Sequence, residues 1–298
     1  MNTAQVAARA CARLPVAPAR KLAAYQLITR TFAPSAEKAR SVLSARRLFL
    51  ITSTGRTGTT WLATLLNTID GVRATHEPVP AEQAAHAAAL ADPASAAPYV
   101  ETFRMREIAW RLQDDRNAIY GEVNGALRRH LEALRASLPQ LTVLHIVRHP
   151  RNVVASMLNR DALTPNDRIY RELAFPAAID AARWQAMSRV ERLCWLWSAD
   201  NAYMRRHASG LAVFEDITQS YGSLREQVLD PLGLSLDEAV FDAHRNRGRN
   251  ETRRATRVEH EWSDAEEAAY DEYCGAELAH YARYAGQSGA AADNTQHG

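Results

Sequence analysis

Between residues 48 and 69 the chain changes its hydrophobic period. Leu48-Phe49-Leu50-Ile51-Thr52 is a continuous, mainly apolar run that reads as a buried strand. Ser53-Thr54-Gly55-Arg56-Thr57-Gly58-Thr59-Thr60 follows, a polar stretch with two glycines. Then Trp61, Leu62, Leu65, Leu66 and Ile69 recur at helical spacing, and Asp70-Gly71 closes the helix with a turn signal. The same change recurs downstream. Leu141–Val147 reads as a second strand, followed by a helix opened by Pro150 with Val153, Val154, Met157 and Leu158 on its apolar face. Leu211–Phe214 reads as a third, followed by a helix over Leu224–Leu232. Short apolar strands alternating with helices predict an α/β fold: a P-loop-like three-layer domain with a central parallel sheet flanked by helices.

Around this frame, residues 1–46 read as an N-terminal helical segment interrupted at Pro15 and Pro18. Residues 47–285 form the main domain, and 286–298 are a small, polar tail. Short helices are expected over 81–118, and longer ones over Gly125–Leu138, Arg183–Arg206 and Asp264–Ala282. A chain of 298 residues, 47% of them hydrophobic, can bury a substantial core.

The net charge of +2 gives no global field for nucleic acid, so any functional positive charge is local. Of the 36 basic residues all but Lys21 and Lys38 are arginines, so phosphate recognition falls to guanidinium forks. Cys11, Cys194 and Cys274 lie too far apart for metal-ligand spacing or a disulfide framework. No apolar run is long enough to cross a membrane, and the expected location is cytoplasmic.

The polar stretch carries the first chemistry. Backbone N–H groups at a helix N-terminus attract anions, and Gly55 and Gly58 let the chain curl around an oxyanion. Thr57, Thr59 and Thr60 add hydroxyls, and Arg56 adds a fixed charge. The nucleotide P-loop pattern fails twice, with Ser53 in place of its first Gly and Thr59 in place of its Lys. The second strand ends in Arg148, where an NTPase would often place a metal-binding Asp, and Ser156 follows eight residues on.

Arg56-Thr57-Gly58-Thr59-Thr60-Trp61 resembles the 5′-phosphosulfate loop of the sulfotransferases that use 3′-phosphoadenosine 5′-phosphosulfate (PAPS), in a bacterial or carbohydrate-type variant with Arg at the basic position. Arg148 and Ser156 resemble that family's 3′-phosphate motif. Val213–Ile217 and Leu232-Gly233-Leu234 resemble its later structural stretches. The resemblance implies PAPS as sulfuryl donor, no metal, and a hydroxyl acceptor that is a glycan, a glycolipid or a natural-product alcohol. It implies cofactor contacts from Arg56, Thr57, Gly58, Thr59, Thr60, Trp61, Arg148 and Ser156. A late basic segment, with Arg247, Gly248 and Arg249 the chosen residues, would close over the adenosine.

Sulfuryl transfer needs a base for the acceptor proton. Thr75-His76-Glu77-Pro78 follows the loop helix, where a strand would return to the ligand-binding edge of the sheet. Glu77 is the chosen base, His76 the second choice, and Arg56 the charge that stabilises the transfer. Glu122, in Gly121-Glu122-Val123, is expected to orient the acceptor or cap a helix. The segments 81–118 and 161–182 are expected to shape the acceptor pocket. Two rival readings stay open: a P-loop kinase or NTPase, and a noncatalytic anion-binding module.

Overall fold

A computed structural model describes residues 3–113, 115–167, 175–247 and 261–284. Five strands form one sheet: β1 (Arg47–Ser53), β2 (Val72–His76), β3 (Ile119–Val123), β4 (Thr142–Val147) and β5 (Gly210–Val213). Their spatial order is β2-β3-β1-β4-β5, and each adjacent pair is parallel. β2 and β3 are strands the apolar pattern alone did not separate, because each is only five residues long and carries polar side chains.

The alternation in β1 builds the layers. Leu48 and Leu50 pack on one face with the helices Ala36–Ser44, Met105–Leu112 and Leu131–Ser137. Phe49 and Ile51 pack on the other, with the helix Thr59–Leu66 and the turns from Tyr221 to Leu232. Side chains point alternately up and down a strand, so a strand apolar at every position must be covered on both faces. Full burial of each such side chain contributes about 1.5–3 kcal/mol.

The register fixes the working edge. His76 pairs with Val123, Thr52 with His145, Ser53 with Ile146, and Val147 with Val213. The segments that leave β2, β3, β1, β4 and β5 therefore emerge side by side. Glu77, Asn124, Thr54–Gly58, Arg148 and Phe214 all lie along this one edge, where open α/β sheets bind ligands.

Several helices differ from expectation. The stretch expected as one helix over Arg183–Arg206 is two, Ala181–Ala186 and Arg189–His207. Met187 caps the end of the first, and Ser188 starts the second through a capping box with Glu191. Over Gly125–Leu138 the chain forms a short 3₁₀ turn at Gly125–Leu127, capped by the Asn124 side chain, before the helix Leu131–Ser137. Phe214–Ile217, expected to prolong the third strand, is a helical turn. Helical periodicity does not mark such breaks, which are set by local side-chain hydrogen bonds to the backbone.

A charged network lies buried behind β3. Arg104, fully buried, meets Glu82 at 2.8 Å and Glu122 at 2.6 Å, and also pairs with Glu107. Arg111 pairs with Glu107 as well, and Tyr25 of the N-terminal helix Pro18–Phe32 donates to Glu107 at 2.8 Å. Asn124 donates to Glu82 at 2.8 Å and to Glu122 at 2.9 Å. Glu122 is thus neither a helix cap nor an exposed acceptor contact; it is a buried partner of Arg104. Three carboxylates here face two guanidiniums. Burial first, and then Glu122, push the Glu82 pKa up from 4.5 to about 7 against the pull of Arg104.

Removing one partner from such a network strands the others without compensation. Arg104→Ala is expected to lower unfolding free energy by about 3–5 kcal/mol, read as a shifted urea midpoint. Glu82 gives a second expectation. A carboxyl whose pKa rises on folding contributes stability that is full below about pH 4.5 and is lost as pH rises through 7. Glu82→Gln, uncharged throughout, is expected to flatten the fall in stability across that window in urea titrations.

Candidate functional site

The turn after β1 is left-handed at three of its four central residues: Gly55 has φ +87°, Arg56 +60° and Gly58 +65°. Gly58 caps the helix Thr59–Leu66, and a β-carbon there would stand 2.6 Å from the Phe214 ring, so neither its φ nor its space admits a side chain. The turn is closed from within. Ser53 Oγ accepts from Gly55 N at 3.2 Å and from the Thr57 hydroxyl at 2.7 Å. Thr57 is consequently buried and spends its hydroxyl on the turn. Thr59 Oγ1 lies 2.9 Å from His76 Nε2, which brings the end of β2 to the first residue of the helix. Thr60 is exposed at the helix's first turn.

Arginines gather against this turn. Arg148 Nη1 donates to the Arg56 carbonyl at 2.5 Å, and its guanidinium lies 4.7 Å from the Phe214 ring centroid. Arg56 Nε donates to Ser156 Oγ at 2.8 Å. The serine thus holds Arg56, and Arg148 holds the turn's backbone. Burial first, then the Arg160 and Arg148 charges, lower the Arg56 pKa from its usual value. Like charges crowded this way mark a candidate site for an anion. Arg160, two residues past the helix Pro150–Leu158, is the member the sequence reading missed. Its only signal was its place one helical turn beyond Ser156.

Glu77 follows directly from β2. Its backbone is left-handed, φ +40°, and its Oε2 accepts from Gln83 Nε2 at 2.8 Å. Its Oε1 and the Gly55 amide both lie within 4 Å of the point where a β-carbon on Gly125 would stand. The carboxylate therefore sits beside the loop.

Trp61 packs on the helix Glu238–Arg247, its ring 6.4 Å from Phe241 and 5.9 Å from His244. That helix brings the start of the basic segment to the loop and ends at Arg247. Gly248 and Arg249 lie outside the described residues. His145, buried in β4, bonds Asn201 at 2.8 Å and belongs to the core.

The architecture matches that of a sulfotransferase from Mycobacterium tuberculosis, at 15% sequence identity and TM-score 0.52, over 86% of this chain and 84% of that one. The chain has the fold of that sulfotransferase. A mouse sulfotransferase complexed with PAP aligns over 84% of this chain and 92% of its own, at 13% identity and TM-score 0.48. No family model and no curated protein sequence matches the chain.

On this sulfotransferase fold the residues chosen from sequence divide into two groups. Arg56, Gly58, Thr59, His76, Glu77, Arg148 and Ser156 converge at one edge of the sheet. Thr57 serves the turn itself, and Trp61 serves helix packing. Among the described residues, no helix is long and apolar enough to cross a membrane.

The arginine cluster generates a simple test. Sulfate or inorganic phosphate is expected to raise the melting temperature more than chloride at equal ionic strength. In Arg148→Ala that excess should disappear, as read by differential scanning fluorimetry.

Proposed function

We propose that the chain is a sulfotransferase that moves a sulfuryl group from PAPS to a hydroxyl acceptor. The observation that carries the reading is the arginine cluster around a left-handed loop, with one carboxylate, Glu77, beside it. The extra charge of a 3′-phosphate suits Arg148 and Arg160, and the phosphosulfate suits the loop amides, Arg56 and Thr60. PAPS supplies an activated sulfuryl group whose sulfur–oxygen bond to phosphate breaks in the transfer.

The residues divide the work. Arg56 and the amides at the N-terminus of the helix Thr59–Leu66 stabilise negative charge that builds on the departing phosphate. Glu77 takes the acceptor proton as the acceptor oxygen bonds sulfur. Gln83 holds Glu77 Oε2, leaving Oε1 toward the loop. His76 is engaged with Thr59, which favours Glu77 over it as base. Arg247, Gly248 and Arg249 are kept as the proposed adenosine cover.

The kinase reading is disfavoured by Arg148, which grips the loop where a nucleotide-metal site would need an acid. Glu77→Gln is expected to lower kcat by about 10²–10⁴ while PAP binding by calorimetry stays unchanged. Normal turnover in Glu77→Gln would remove Glu77 as base. Tight binding of ATP–Mg²⁺ with no preference for a 3′-phosphate would overturn the sulfotransferase reading itself.

A further inference from the structure

Residues 3–36 hold five bases, Arg9, Arg13, Arg20, Lys21 and Arg30, and no acid. The whole chain carries only +2, so the rest of it is net negative. The same residues fold into two helices, Thr3–Ala12 and Pro18–Phe32, joined by a short turn. Their inner faces are taken: Ala4, Ala8, Leu22 and Tyr25 pack into one cluster with Val79 and Trp110. Both helices therefore lie on the same part of the body and turn their opposite faces outward.

Those outer faces mix apolar and basic side chains at helical spacing. Val6 is exposed together with Arg9, Ala10 and Arg13. Leu27 is exposed between Arg20 on one side and Arg30 on the other. Lys21 donates to the Ala12 carbonyl at 2.9 Å, so the four arginines supply the outward charge. Six large apolar side chains are exposed among the described residues, and four of them are Val6, Leu14, Leu27 and Phe32. Leu27 is 66% exposed and Phe32 65%. Single exposed apolar residues are ordinary, but four gathered on one helical hairpin, with bases as their only charged neighbours in sequence, mark an interaction surface.

We propose that this hairpin docks the protein on the surface of an anionic lipid bilayer. The partner follows from what the faces offer together. The arginines meet lipid phosphates, while Val6, Leu14, Leu27 and Phe32 enter the boundary between headgroups and acyl chains. A nucleic-acid backbone would satisfy the arginines but leave the apolar side chains in water. A second copy of the chain would cover the apolar side chains but set arginine against arginine. A bilayer rich in anionic headgroups answers both needs at once. The proposal stands independently of the sulfotransferase reading.

The test sediments the full chain with sucrose-loaded vesicles of phosphatidylcholine, with and without phosphatidylglycerol. Binding is expected only where phosphatidylglycerol is present, and it should weaken as sodium chloride is raised. Arg20→Glu with Arg30→Glu should lower vesicle affinity by at least about tenfold, from the loss of two bases at an anionic surface. Val6→Gln with Leu27→Gln should lower it about tenfold at unchanged charge. Both pairs are exposed, so the melting temperature of each variant should match that of the parent chain. No sedimentation with phosphatidylglycerol, equal sedimentation without it, or unchanged affinity in either double variant would overturn the proposal. Tighter binding to duplex DNA than to the vesicles would overturn it in favour of nucleic acid.

Discussion

The loop after β1 is held in a shape that isolated chain would avoid, and the site depends on that restraint. Arg56 at φ +60° is a non-glycine residue in the left-handed region, a conformation that costs on the order of 1–3 kcal/mol unless its surroundings impose it. The surroundings here are specific. Ser53 Oγ ties the turn's Gly55 amide and Thr57 hydroxyl, and Arg148 takes the Arg56 carbonyl. Ser156 takes the Arg56 side chain. Because β1 is flanked by β3 and β4, the restrained turn lies mid-edge, with Arg148 leaving the strand beside it. Strand order therefore sets the distance between the amides of one element and the guanidinium of another.

Two kinds of charge coexist a few residues apart and obey different rules. Behind β3, Arg104 and Arg111 are surrounded by Glu82, Glu107 and Glu122; their attraction outweighs desolvation at Glu107, whose pKa is lowered, but not at Glu82. At the loop, burial first and then the charges of Arg160 and Arg148 lower the Arg56 pKa. The first arrangement is complete without a ligand. The second gains most from an anion, because each phosphate oxygen relieves a repulsion as well as making a bond.

Legibility in the sequence followed how local the determining interactions are. The loop was readable because strand, glycines and helix are contiguous, and Arg148 was readable because it ends an apolar run. Ser156 was legible only as a member of a motif, and its contact with Arg56 was not. Which of two guanidiniums a hydroxyl meets depends on how two loops dock. Thr57 looked like a ligand donor because nothing in the chain shows its hydroxyl turning to Ser53. The buried network of segment 81–118 was illegible for a deeper reason. Nothing in the segment itself marks Arg104 and Glu107 as buried, because the acids of Glu82 and β3 make that burial tolerable.

That buried network also explains how Glu77, the proposed base, can be held. Glu77 precedes Pro78, which biases it toward extended backbone, yet it stands at φ +40°. Something must hold the turn against that bias. Arg111 donates to the Pro78 carbonyl at 3.3 Å, and Arg104 and Asn124 grip Glu82. Gln83, next to Glu82, then reaches Glu77 Oε2. Two buried arginines and the Asn124 amide, which follows directly from β3, thus hold the 77–83 turn from outside, and Gln83 ties it from within. The network costs desolvation that an apolar core would not, so stability alone does not account for it. Fixing one carboxylate beside an anion loop does account for it, because proton transfer tolerates little error in the position of the base.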